Sequence, residues 1–140
     1  MKKSVLIAAV VASLQIHAVC AQSTTSSTYP IRPIRVIVPV GVGGPPDIAA
    51  RLLGQKLGDA LGQPIVVENR AGAGGTLGGQ TVLKAAPDGY TLLMGSGSSL
   101  VIGPTLFPES GYSPTKSFTP ISLVSHQPFV FGVPTALMTD

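Results

Sequence analysis

Arg35-Val36-Ile37-Val38-Pro39-Val40-Gly41-Val42-Gly43-Gly44-Pro45-Pro46-Asp47-Ile48-Ala49-Ala50-Arg51-Leu52-Leu53 decides how this chain folds. Arg35–Val38 and Val40 are mostly β-branched and apolar, the composition of a buried parallel strand. Gly41, Gly43 and Gly44 let the backbone turn sharply and come close to a ligand. Pro45, Pro46 and Asp47 then open a helix, with Asp47 as N-cap or first-turn acid. A helix start whose N–H groups lack partners, at the carboxyl end of a parallel strand, is an anion site.

Working outward, the helix is expected from Asp47 to Leu61. Ile48, Leu52, Leu53, Leu57, Ala60 and Leu61 form its apolar stripe. Gly54 and Gly58 lie on one side and allow close approach to the sheet, while Gly62 and Pro64 end the helix. Pro64–Glu68 reads as the second strand, Thr76–Ala86 as the second helix with Leu77, Val82, Leu83 and Ala86 inward, and Tyr90–Met94 as the third strand. Leu100–Phe107 reads as a short helix interrupted by Pro104, and Thr115–Phe118 as one helical turn. Ile121–Val124 and Phe129–Val133 read as two more strands. Alternating strands and helices predict an α/β fold with a mainly parallel sheet and right-handed crossovers. Its loops Gly41–Pro46, Asn69–Gly75 and Gly95–Ser99 then share the edge where such sheets bind ligands.

The first 21 residues read as a cleavable signal peptide: basic Lys2 and Lys3, apolar Val5–Ile16, and small residues before a cut after Ala21. The apolar run is too short to span a bilayer, and Val19 before Cys20 argues against a lipoprotein. Residues 22–34 read as an extended leader, 35–134 as the lobe itself, and 135–140 as the start of an interlobe region. Removing Lys2 and Lys3 brings a chain of 9 basic and 6 acidic residues close to neutrality. No basic cluster remains for nucleic acid. No cysteine remains either, which excludes disulfides and thiolate catalysis. His126 alone makes no metal site.

Pro46 and Leu77 stand where G-x-G-x-x-G needs its last glycine, and no Gly-Lys-Ser/Thr follows any loop. An α/β enzyme using these loops for phosphate or a nucleotide is therefore the weakest reading. No histidine is tied to a serine as a catalytic base. Asp47 has a simpler reading as a helix start, and Glu68 as a partner of Arg70 or a loop amide. Glycine loops rich in N–H groups and small hydroxyls suit a small carboxylate, although glycines also serve tight strand–helix turns.

Tyr29–Pro39, Gly43–Arg51, Leu61–Gly75, Ala86–Leu92 and Phe118–Val124, in that order, resemble the Bug family. These are extracytoplasmic solute receptors of tripartite tricarboxylate transporters. The resemblance implies one lobe of a type II periplasmic-binding-protein fold, with the second lobe missing and no cofactor. It implies a periplasmic receptor, not an enzyme, that binds a small carboxylate (a di- or tricarboxylate, an amino acid or an aromatic acid) and hands it to membrane permease subunits. Carried over, the ligand-binding residues are Gly43, Gly44, Pro45 and Asp47 in the first loop, and Gly72, Gly74, Gly75 and Thr76 in the second. Ser96 and Ser98 stand in the third. Gly103 replaces a common Asn of the family, and Ser113 and Ser117 replace common aspartates. Family members are far longer, so a truncated fragment without function is the alternative reading.

Overall fold

The computed structural model describes residues 29–128 and 130–134. The expected signal peptide, the leader up to Thr28, and residues 135–140 lie outside the described residues.

Strand β1 is Ile34–Val38. It is the middle of a parallel three-stranded sheet, flanked by β2 (Ile65–Asn69) and β3 (Thr91–Leu93) in the order β2-β1-β3. Val36 is in register with Val67 on one side and Leu92 on the other. Arg35 is the only exposed residue of β1, as a strand covered on both faces requires. Hydrogen bonds from Arg35 N–H to Tyr90 C=O and from Met94 N–H to Ile37 C=O carry the β3 ladder one residue past each end. The expected Tyr90–Met94 strand thus differs only at its limits.

Helix α1 is Pro45–Leu61, and α2 is Thr76–Leu83. The crossover from β1 to β2 and the one from β2 past β1 to β3 run in opposite directions, so their right-handedness puts the two helices on opposite faces. The first face is a core of Val36, Val38 and Ala50, with Val40, Ile65, Val67, Leu92 and Met94 packed around it. Most of the apolar stripe expected to face that core does not, Leu53 being half-buried. Ile48, Leu52, Leu57 and Leu61 are exposed, and the buried residues of α1 are Asp47, Ala50 and Gly54. The reason is distance: a Cβ on Gly54 would lie 3.3 Å from Ile65 Cγ2. The helix approaches β2 on its smallest residues, which tilts the leucines away. Gly62 ends it with φ 67° and donates its N–H to Gly58 C=O.

Helix α2 shows the same preference. Its buried residues are Thr76, Gly78 and Gly79, while Leu77 and Leu83, expected inward, are exposed. A Cβ on Gly78 would sit 2.7 Å from Pro39 Cβ, and one on Gly79 2.6 Å from the Tyr112 ring. The helix stops at Leu83, short of Ala86, because Pro87 excludes its predecessor from the α region.

A π-helical turn at Ser98–Ile102 leads into α3 (Gly103–Leu106), where Pro104 lies in the first turn. The expected turn near Thr115 is α4 (Pro114–Ser117). The two last expected strands do not form. Residues 121–128 and 130–134 have no regular structure, Phe129 lies outside the described residues, and Ile121, Leu123, Val130 and Phe131 are largely exposed. Apolar alternation makes a strand only beside a ladder partner, and none pairs with them among the described residues.

The start of the described chain is pinned at the amino end of the sheet. Tyr29 Oη donates to Gly89 C=O, and Tyr90 Oη accepts from Ile31 N–H. Arg32 pairs with Asp88 at 2.8 Å and lies 4.1 Å from the Tyr90 ring centroid. The opposite, carboxyl edge is left to the three loops.

Candidate functional site

The first loop leaves β1 at Pro39 and enters α1 through Gly44, the N-cap residue. Gly43 has φ 84°, a conformation that favours glycine. Its N–H donates to Asp47 Oδ2 at 2.9 Å. Pro45 and Pro46 occupy the first helical positions and have no N–H, and Asp47 N–H donates to Gly44 C=O. The expected run of unpartnered N–H groups at this helix start is therefore absent. Its place is taken by a carboxylate of the chain itself.

That carboxylate is the most connected side chain of the edge. Asp47 is 1% exposed. Oδ2 accepts from Gly43 N–H and from Arg51 Nε at 3.1 Å. Oδ1 accepts from Asn69 Nδ2 at 2.9 Å and lies 3.0 Å from Arg51 Nη2. Asn69 also donates to Val40 C=O and accepts from Arg51 Nη2. The Arg51 hydrogen bonds, then those from Gly43 and Asn69, hold the Asp47 carboxyl down to about 2. Glu68 is lowered in the same direction, chiefly by Arg35 and then by Arg70. Its main partner is Arg35 on β1, at 2.7 and 3.0 Å, with Arg70 at 3.4 Å.

Both shifts set the acid response. The unfolded chain takes up protons at these carboxyls first as pH falls, so the stability they contribute is present above pH 4 and lost below it. For Asp47 the loss runs from about pH 4 down to about 2. Urea midpoints measured across this range are expected to fall with pH in the native protein, and to fall less steeply in Asp47→Asn.

The second loop follows Asn69. Gly72, Ala73, Gly74 and Gly75 have successive positive φ values of 135°, 46°, 65° and 92°. Ala73 is the one non-glycine residue with positive φ among the described residues. Gly75 and Thr76 are buried, and Thr76 Oγ1 donates to Ala73 C=O at 2.9 Å. The expected Thr76 hydroxyl is thus engaged within its own loop. Gly72 and Gly74 are exposed.

The third loop holds a serine cluster. Ser96 Oγ lies 2.8 Å from Ser98 Oγ, and Ser99 Oγ accepts from Ser96 N–H at 3.0 Å. Ser99 is fully buried and its C=O accepts from Tyr112 Oη. Burial raises the Tyr112 hydroxyl above its ordinary value. The three loops meet at Gly75, where a Cβ would be 2.8 Å from Ser99 Cβ and 3.3 Å from Pro39 C=O.

Gly43, Gly44, Pro45, Asp47, Gly72, Gly74, Gly75, Thr76, Ser96 and Ser98 thus share one edge. They divide into an accessible set and a supporting set. Gly43, Pro45, Gly72 and Gly74 are exposed, Gly44, Ser96 and Ser98 half-buried, and Asp47, Gly75 and Thr76 buried. Sequence reasoning missed Arg51, Asn69, Ser99 and Tyr112. Only Arg51 carried a local signal, lying one helical turn beyond Asp47. A groove of about 640 Å³ runs between α1 and the outer edge of β2, past Gly54, Gly58 and Ile65. A second of about 470 Å³ lies between Arg70 and Lys84. Neither takes residues from the first or third loop. Among the described residues every buried side-chain nitrogen and oxygen has a partner, and no three His, Cys, Asp or Glu side chains gather around a metal position.

Residues 49–139 match the family model described as tripartite tricarboxylate transporter family receptor. BugT of Bordetella pertussis is 45% identical over 121 residues, which are 86% of this chain and 37% of BugT. Among solved structures, MatC from Rhodopseudomonas palustris with bound malate is 46% identical, with a TM-score of 0.64 over 69% of this chain and 33% of MatC. The periplasmic binding protein BugD is 42% identical, with a TM-score of 0.59 over 66% of this chain and 31% of BugD. The α/β architecture is therefore that of part of a periplasmic binding protein, and the chain spans little more than a third of BugT.

Proposed function

Because the chain belongs to the tripartite tricarboxylate transporter receptor family, we propose that its three-loop edge is one wall of a receptor site for a small carboxylate. The observation that carries this is the convergence of the three loops at Gly75, with exposed glycines and half-buried serines on the accessible side. The family is one of receptors rather than enzymes. Backbone N–H groups of the second loop and the hydroxyls of Ser96 and Ser98 are the donors for the ligand's oxygens, directly or through water. The first loop contributes shape, since Gly43 N–H is engaged by Asp47 and two prolines follow. The receptor works in the periplasm and delivers its ligand to permease subunits in the membrane. MatC, solved with malate, makes malate the first ligand to test. One open wall buries a ligand incompletely, so binding by this chain is expected to be weak.

Malate titrated into the isotopically labelled chain is expected to move amide resonances of Gly41–Gly44, Gly72–Thr76 and Gly95–Ser99, while NAD and ATP leave them in place. If malate, citrate, glutamate and benzoate all leave these resonances unmoved, the proposal fails.

A further inference from the structure

We propose that Asp47 is a positioning residue: by bridging Gly43, Arg51 and Asn69, its carboxylate locks the first and second loops into one rigid wall. For its effect on ligand this inference rests on the receptor reading above. For the coupling of the loops it does not.

The three partners come from three places. Gly43 belongs to the first loop, Arg51 to the next turn of α1, and Asn69 to the last residue of β2, directly before the second loop. Asn69 closes the bridge from the other side by donating to Val40 C=O at 3.1 Å. An acid that served only the helix dipole would work as well in solvent. Asp47 is instead buried and saturated, and replacing one partner of such a group leaves the others unsatisfied.

Charge makes the consequence testable. Arg51 neutralises Asp47, so the wall shows an anionic ligand no uncompensated negative charge. Asp47→Asn removes that negative charge and releases Arg51. Electrostatics alone then predicts tighter binding of an anion. Loss of positioning predicts weaker binding. The sign of the change separates the two.

Two variants of the full chain carry the test. Asp47→Asn is expected to speed amide exchange about tenfold in the second loop, at residues 70–76, as well as at Gly43. Asn69→Ser keeps the Asp47–Arg51 pair and is expected to speed exchange at Gly41–Gly44, across the bridge. It stands alone as the test if Asp47→Asn does not fold. Malate affinity, read from the amide titration, is expected to fall about tenfold in each folded variant. Exchange confined to the substituted residue's own loop, or malate affinity unchanged or raised in a folded variant, overturns the inference. Wild-type resonances that ignore every carboxylate would refute the receptor reading, and the exchange measurements would still decide the coupling.

Discussion

Ile37→Ala is expected to remove most of the stability of this fold, ~2–5 kcal/mol, and to abolish a sharp urea transition. Ile37 has no exposed surface and lies at the centre of the central strand. Its neighbours in register are Glu68 on β2 and Leu93 on β3. Four of the six buried apolar residues among those described, Ile34, Val36, Ile37 and Val38, belong to β1. A cavity there has few large side chains nearby to relax into it. Helix α2 covers this side of the sheet through glycines, so it has little side-chain volume to offer. Marginal stability makes a loss of this size decisive. Val66→Ala on β2 is the matched control, because Val66 is already 42% exposed. Its expected cost is under about 1 kcal/mol. Urea denaturation followed by far-ultraviolet circular dichroism checks both. Equal midpoints for the two variants would show that β1 is not the core.

The strand–loop–helix order was legible because each part is local. The β-branched run from Arg35, the glycines after it and the paired prolines each constrain their own few residues. What the sequence hid was direction. A 3.6-residue period located α1 but set its leucines inward, whereas Ala50 and Gly54 face the sheet because a small face allows a closer approach. Thr76, Gly78 and Gly79 displaced Leu77 and Leu83 on α2 for the same reason. Close packing on glycine is invisible to a count of apolar residues. The edge was legible as loops, not as a network. Asn69 meets Asp47 across 22 positions and Tyr112 meets Ser99 across 13, and no local pattern encodes either. The apolar alternation at Ile121–Val124 is the converse case: the local signal is present, but without a ladder partner among the described residues it forms no strand.

Gly75→Ala is the substitution with the largest expected effect on the site itself. Two costs coincide there. With φ 92° the backbone is where a side chain is strained, at about 1–3 kcal/mol. The new methyl would also lie 2.8 Å from Ser99 Cβ, 3.2 Å from Ser99 Cα and 3.3 Å from Pro39 C=O. These atoms belong to backbone or to a fully buried residue, so nothing flexible can give way. Overpacking of this kind adds about 1–3 kcal/mol. The loops must then separate at their point of convergence, so the damage reaches Ser96 and Ser98 through Ser99 and reaches the first loop through Pro39. Gly111→Ala separates strain from crowding. Its φ of 71° is also positive, but the nearest atom to an added Cβ is Glu109 C=O at 3.9 Å. Its expected cost is about 1 kcal/mol, with the loops undisturbed. In amide spectra Gly75→Ala is expected to shift Pro39's neighbours and Gly95–Ser99 together, and to lower the urea midpoint well below that of Gly111→Ala. Equal midpoints, with third-loop resonances in place, would mean that Gly75 supplies only its own turn and that the three loops are held together elsewhere.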